Sequence, residues 1–257
     1  MLELYHNDMS VCSAKVRLAL AEKGLEYTSH HLNLRAGDQK EPAYLALNPK
    51  GVVPTLVHDG FVVTESVVIN EYIDDAFRKL PLKPDSAQGR ARMRWWTKQI
   101  DDSIFPATGV VSASIAFHHQ YTPELIAELT KLRGPAYVQN LEMVRKGVDN
   151  PNFPNAMRRL DKMLADMDKG LAGGPWLAGK EYTLADVAYA PYLARLDHLH
   201  FLGMLERRPR VAEWYEHMQA RRSYQEAVAA FFNPKYLPLM DQKGREAWPR
   251  VKSLLAA

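Results

Sequence analysis

Residues 51–66 read GVVPTLVHDGFVVTES, two short apolar runs around Asp59-Gly60. Asp-Gly supplies the two positive-φ residues that a two-residue hairpin needs, so the stretch predicts an antiparallel strand pair. A proline stands at the head of the first run, at position 54. Proline has no backbone donor and is normally kept out of a sheet interior. A cis Val53-Pro54 bond would turn the Val53 amide and carbonyl outward, where an extended peptide could pair with them as an added strand. An ordinary trans proline in an edge strand or turn satisfies the same sequence.

The segments around this hairpin set the fold class. "LELY" at 2–5 alternates as a strand, "SVCSAKVRLALAEKG" reads as a helix stopped by Gly24, and "YTSHHL" at 27–32 alternates again. "ESVVINEYIDDAF" follows the hairpin as a helix, with Val68, Ile69, Tyr72 and Ile73 at helical spacing. Strand–helix–strand predicts a parallel crossover, so the expectation is a mixed four-stranded sheet with helices on it. From "RKLPLKPDS" at 78–86 two prolines and basic residues mark a linker, and everything afterwards reads as helical. "AQGRARMRWWTKQIDDSIF" predicts one long helix that Pro106 ends or kinks, with further helices near 123–146, 155–170, 184–199 and 209–231. From Asn233 the chain reads as an extension draped over the helical part. The expected domains are residues 1–80, a linker at 81–85, and an all-α domain over 86–257.

Composition narrows the function classes. The chain has 257 residues, 47% apolar and 25% charged, with a net charge of +3, too small to argue for nucleic acid. Arg90, Arg92 and Arg94 read as a solvated helix face. No apolar stretch approaches a membrane span, and no secretory signal is visible at the start. Cys12 is the only cysteine, which precludes an intrachain disulfide. The default is a cytoplasmic protein.

"NPKGVVPTLVHDG" followed by "VTES" resembles the glutathione-binding half of the glutathione transferases. The resemblance implies a thioredoxin-like domain joined to an all-helical one, with glutathione as co-substrate and no metal. It implies that the backbone before Pro54 meets the cysteinyl part of glutathione, and that Glu65 and Ser66 hold the γ-glutamyl end. A helix N-terminus suits that carboxylate and an acid suits the ammonium, although a helix cap and a first-turn acid account for the same pair. Gln39, nine residues before Asn48, matches a glutamine that touches glutathione in the zeta class.

"LYHNDMSVCSAKVRLALAEKGLEY" is similar to the serine-type members, especially the zeta and theta classes. It places their thiolate-stabilising serine on Ser10, with Ser13 as a competitor. A hydroxyl donating to sulfur at a helix start favours the anion. Lowering a thiol pKa by about two units takes roughly 2.7 kcal/mol of preferential stabilisation. A cysteine at position 12 forms a mixed disulfide with glutathione in the omega-type and lyase members. Met9 and Lys15 supply no dithiol partner here, however, and Val11 and Ser13 around Cys12 favour a small, half-buried core thiol. "YTLADVAYAPYL" resembles the family's folding motif, and Thr183 with Asp186 reads as a capping-box variant.

"HDGFVVTESVVINEYIDDAF", "ARMRWWTKQIDD" and the C-terminal extension are similar to the bacterial β-etherases of this family. That resemblance implies a glutathione thiolate displacing a phenolate beside a carbonyl in a lignin-derived ketone. Isomerisation or dehalogenation of the zeta or theta type, and a non-catalytic glutathione-fold binding protein, are the alternatives. A small aromatic electrophile needs apolar walls, for which Met9, Ile104, Phe105, Phe117 and Tyr121 are candidates. His118 and His119 read as solvated, Asp101 and Asp102 as solvated acids, and "RWW" as core or subunit contacts. Asp101 has a second reading, as a group reaching a neighbouring subunit's glutathione. The resemblance also implies a homodimer, or a heterodimer with a paralogue.

Overall fold

In a computed structural model of the chain, residues 1–118, 122–124, 126–127 and 141–256 are described. Contacts divide the chain into two compact units. The first joins Met1–Thr97 with Gly170–Leu193 and Ala212–Asn233, and the second joins Lys98–Lys169 with Ala194–Val211 and Pro234–Ala257.

The first unit holds the sheet. β1 (Leu2–His6), β2 (Thr28–His31), β3 (Thr55–His58) and β4 (Phe61–Thr64) lie in the order β2-β1-β3-β4. β1 and β2 are parallel and β3 and β4 antiparallel, as the segment order predicts, and β3 is also antiparallel to β1. Asp59 (φ 49°) and Gly60 (φ 84°) make the hairpin turn, both left-handed as a two-residue turn requires.

Helix α1 (Val11–Glu22) is buried almost all round, with Val16, Leu18, Ala19 and Leu20 fully enclosed. It stops at Gly24 (φ 64°), where the Gly24 and Leu25 amides bond back to Ala21 and Leu20, the paired bonds of a Schellman ending. A short helix α2 (Pro42–Leu47) precedes the hairpin. Helix α3 (Ser66–Ala76) buries Ile69 and Ile73, whereas Val68, expected on the same face, is 55% exposed. Ser66 and Asn70 take the buried stripe in its place.

The prolines after α3 do not make a loose hinge. Asp74 accepts from the Leu82 amide (2.8 Å), the Lys83 amide (3.1 Å) and buried Lys23 Nζ (2.7 Å), which also reaches the Leu80 carbonyl. Helix α4 (Ala87–Gln99) then exposes Arg92 and Arg94 as a solvated face. Trp96 is buried edge-on to Tyr189 at 5.4 Å, while Trp95 stays 51% exposed.

In the second unit, the chain runs through a π turn (Ile100–Ile104) into α5 (Phe105–Ser112) and a second π turn (Ala113–Phe117). Pro106 therefore does not end the helix. The wide turn ahead of it, with Phe105 N bonding Ile100 O, is a place where the ladder is already re-registered and a missing N–H is tolerated. Helix α6 (Phe153–Gly170) buries Phe153, Met157, Leu160, Met163, Leu164 and Met167 on one stripe. Helix α7 (Leu184–His198) follows, its residues as far as Leu193 belonging to the first unit and those from Ala194 to the second.

The stretch read as one helix near 209–231 is broken into α8 (Pro209–Ala220), α9 (Arg222–Ala227) and a 3₁₀ turn (Ala229–Phe231). The extension expected from Asn233 is a regular helix, α10 (Leu237–Ala256), within the second unit. The helix expected near 123–146 lies largely outside the described residues. No helix among the described residues is long and apolar enough to cross a membrane.

Thr183 and Asp186 form the predicted reciprocal cap at the start of α7. Asp186 accepts from the Thr183 amide (3.0 Å) and Thr183 Oγ1 accepts from the Ala185 amide (3.2 Å). The other Asp186 oxygen takes the Leu177 amide and Trp214 Nε1, both at 2.9 Å. Both residues are buried, so every donated bond replaces a lost water.

Candidate functional site

Strand register brings the predicted residues to one edge of the sheet. Tyr5 pairs with Thr55, Thr55 with Thr64, and His6 with His31. The end of β1, the start of β3, the end of β4 and the end of β2 therefore lie side by side. The segments continuing from them are the 7–10 turn, Val53-Pro54, Glu65-Ser66 and the loop to Gln39.

The Val53-Pro54 peptide is cis. On one side of it, Tyr44 Oη donates to the Val52 carbonyl (2.6 Å) and Asn48 Nδ2 to the same oxygen (2.9 Å). On the other side, Thr55 Oγ1 meets Tyr44 Oη (2.9 Å) and Asn48 Nδ2 (3.1 Å). The clamp ties the Val52 carbonyl to the Thr55 side chain across Val53-Pro54. The Val53 amide and carbonyl themselves bond no other described residue. Tyr44 and Asn48 were missed by the reading of single motifs, although Asn48 stands in the quoted NPKGVVP. Buried Tyr44 was marked by nothing beyond its aromatic character.

Glu65 sits at the cap of α3 with φ 67° and ψ 112°, left-handed without being glycine. Such a conformation costs of order 1–3 kcal/mol and persists where surroundings impose it. Its side chain makes no capping bond, and Lys50 Nζ lies 2.6 Å from its Oε1. The neighbouring charge and bond raise the Lys50 ammonium above its usual range. Ser66 is the first helical residue rather than the cap, and is buried. Its amide and that of Val67 belong to the open first turn, where an anion is favoured.

Gln39 lies in the 3₁₀ turn Asp38–Lys40. Its Nε2 donates to the Leu34 carbonyl (3.1 Å), while its Oε1 is buried and has no partner among the described residues. Together with Val53, this leaves one buried acceptor and one donor–acceptor pair for a peptide-like molecule. The residues present thus fit an extended peptide carrying an ammonium and a carboxylate at one end.

Ser10 caps α1 in extended backbone, and its Oγ accepts from the Ser13 amide at 3.2 Å. The hydroxyl proton of Ser10 is not committed by that bond. Ser13 is fully buried, with its Oγ accepting from the Asn7 amide at 3.2 Å. Cys12 is half-buried, as expected.

His6 is fully buried behind this turn. Arg17 Nη1 lies 3.2 Å from His6 Nδ1 and Ser29 Oγ lies 2.7 Å from Nε2. A guanidinium only donates, so Nδ1 accepts and the ring proton sits on Nε2. Burial first, and then the Arg17 charge, lowers the His6 pKa to about 3.

The residues expected around a second substrate are differently placed. Met9 is half-buried, Ile104 is fully enclosed in helix core, and Phe105 is 47% exposed. Phe117 is half-buried and edge-on to Tyr236 at 6.2 Å. His118 is half-buried rather than solvated. Asp101 and Asp102 are exposed, with Lys98 paired to Asp102. Tyr121 and His119 lie outside the described residues.

The sequence profile described as glutathione S-transferase, N-terminal domain, matches residues 9–76, and the corresponding C-terminal domain matches residues 136–217. The tetrachloro-p-hydroquinone reductive dehalogenase of Sphingobium chlorophenolicum is 30% identical over 88% of this chain and 95% of its own. Protein LigF of Sphingobium sp. strain SYK-6 is 29% identical over 88% of this chain and 92% of its own. The crystal structure of β-etherase LigF superposes with a TM-score of 0.77, covering 89% of this chain and 99% of that one at 26% identity. On the profile matches and the 30% identical relative, this chain belongs to the glutathione S-transferase family.

Proposed function

We propose that the protein is a glutathione transferase of β-etherase type, acting on an aryl ether beside a carbonyl. The observation that carries glutathione binding is the unpaired Val53 amide and carbonyl, lying between the clamped Val52 carbonyl and the clamped Thr55 side chain. In this reading those groups pair with the cysteinyl residue, as an added strand does. Gln39 Oε1 accepts from a further peptide N–H. Glu65 receives the γ-glutamyl ammonium, sharing its charge with Lys50, and the first turn of α3 with Ser66 receives the carboxylate. Residues 1–80 hold glutathione in this scheme, and residues 86–257 the electrophile.

Ser10 is favoured over Ser13 as the hydroxyl that donates to sulfur. Its proton is uncommitted and it stands at the open end of α1, whereas Ser13 is enclosed. The bond from carbon to sulfur forms as the carbon–oxygen bond breaks. The departing phenolate takes the electron pair and later a proton from solvent. Cytoplasmic location and a dimer belong to the same proposal. Exposed Phe61, Val68 and Trp95 supply apolar surface for a second subunit.

A second reading, glutathione-dependent dehalogenation, has the 30% identity to the reductive dehalogenase behind it. One panel separates the two. The purified protein is incubated with glutathione and, in turn, a β-aryl ether ketone, a chlorinated hydroquinone, a maleyl-type diketone and chlorodinitrobenzene. Phenol release stoichiometric with a glutathione adduct is expected. Turnover confined to the chlorinated ring or the diketone overturns the β-etherase assignment. Absence of heat on titrating the folded protein with glutathione overturns the whole reading. Glu65→Gln is expected to weaken that binding about tenfold, the loss of one charge-assisted bond.

A further inference from the structure

The turn that carries Ser10 is held from behind by residues more than two hundred positions away. Arg17 on α1 is 1% exposed, and its donors go to backbone on both sides. Nη1 donates to the Asn7 carbonyl (2.9 Å), Nη2 to the Asp8 carbonyl (3.1 Å) and Nε to the Ala227 carbonyl (2.9 Å). The Phe231 ring lies over the guanidinium, 4.0 Å from its carbon. Two residues on, Asn233 Nδ2 donates to Asp8 Oδ2 (2.6 Å) and its amide points to Met9 Sδ (3.4 Å). The remaining Asp8 oxygen caps the Met9 amide at 2.7 Å. Each residue between His6 and Ser10 is therefore pinned, and two of those pins come from residues 227–233.

We infer that residues 227–233 form an internal strap whose function is to position Ser10, with Arg17 and Asn233 as positioning residues for thiol activation. The inference rests on the proposed glutathione site. A hydroxyl and a set of helix amides stabilise a thiolate only when aimed at the sulfur, and a turn free to shift by an ångström loses that aim. Arg17 fixes the carbonyls of the turn, and Asn233 fixes its one carboxylate. The ionisable groups facing the turn are Asp8, His31, His6, Arg17 and Tyr27. None is a direct sulfur contact in this scheme, so the strap acts through the backbone.

The test uses Asn233→Asp, which sets a second carboxylate against Asp8, and the swapped pair Asp8→Asn/Asn233→Asp, which restores a donor opposite an acceptor. Bound thiolate is followed by its ultraviolet absorbance against pH, glutathione affinity by calorimetry, and Cys12 by its alkylation rate without glutathione. Asn233→Asp is expected to raise the bound thiol's pKa by about one unit, leaving about tenfold less thiolate at pH 6. Affinity stays within about twofold, because Val53, Glu65 and Ser66 are untouched, and Cys12 is alkylated several-fold faster. The swap returns all three values towards wild type.

Unchanged thiol pKa and Cys12 rate in a folded Asn233→Asp protein overturn the strap, as does a swap without rescue. If Asn233→Asp does not fold, Asn233→Ala is expected to move both readouts the same way by about threefold, and no movement overturns the strap. If wild type gives no heat with glutathione, the binding reading falls separately. The strap is then decided by Cys12 labelling, faster in Asn233→Asp and reversed by the swap, or unchanged and refuted.

Discussion

The two halves of the candidate site are assembled over different distances along the chain. Gln39, the Tyr44–Asn48 clamp, Val53-Pro54, Lys50 and Glu65-Ser66 fall within 28 consecutive residues, and the bonds that shape them span at most 15 positions. The Asn7–Ser10 turn is shaped by contacts spanning 210 positions at Arg17–Ala227 and 225 at Asp8–Asn233. A segment that organises itself can be recognised from its own letters. A turn held by a distant strap cannot, because neither partner is unusual where it stands.

Removing the distant half's central donor gives the largest expected effect. Arg17→Met keeps much of the side chain's length but strips the donors from three carbonyls and His6 Nδ1, all at buried or half-buried positions. Buried polar groups left without partners cost about 1–3 kcal/mol each, and relaxation recovers part of that. A loss of about 3–5 kcal/mol in a denaturant titration is expected, large against a typical total stability. A loss under about 1 kcal/mol would mean that the carbonyls find other donors and that the turn is not held by Arg17.

What could be read from sequence follows the same division. Asp59-Gly60, Gly24 and the Thr183–Asp186 cap are local chemistry, and the structure uses each as its residue type predicts. Pro106 does not end the helix, one of the two outcomes its residue type predicts, because the chain supplies a π turn just before it. The final helix was hidden by Pro238 and Pro249, although Met240, Gly244, Ala247 and Val251 keep a helical stripe. Gly244 lies so close to the Leu199 backbone that a Cβ would collide with it. That demand is invisible without the partner. Periodicity alone turns Val68 inward, whereas Ser66 and Asn70 occupy the buried face, with Asn70 Nδ2 donating to the Lys15 carbonyl of α1.

A smaller effect sharpens the comparison through pH. His6 belongs to the distant half, and its folded pKa, about 3, is below the ordinary value near 6.5. Between those values the unfolded chain binds the proton and the folded chain does not, so stability is full above pH 6.5 and falls as pH drops. The slope is about 1.4 kcal/mol per pH unit for one proton. His6→Gln keeps a donor towards Ser29 and removes the titration. Between pH 7 and 5 the wild type should lose about 2 kcal/mol more than the variant. His198, also lowered to about 3 by burial and the Arg195 charge, titrates in both proteins and cancels in the difference. Parallel pH profiles would show that burial and the Arg17 charge do not hold His6 neutral.

The smallest effect belongs to the local half. Tyr44→Phe removes a hydroxyl that bonds both the Val52 carbonyl and Thr55 Oγ1. Asn48 Nδ2 reaches the same two oxygens, so neither is stranded. The expected cost is therefore near the net value of one hydrogen bond, about 1 kcal/mol, rather than that of an orphaned buried group. Loosening the clamp lets Val53 move, so glutathione binding should weaken by a few-fold in calorimetry. The bound thiol's pKa should stay where it is, because Ser10 and its strap are untouched. That pattern is the mirror image of Asn233→Asp, which spares affinity and shifts the thiol. If Tyr44→Phe instead moved the thiol pKa as far as it moved affinity, the clamp and the turn would be one mechanical unit, and the difference in chain distance would carry no functional division.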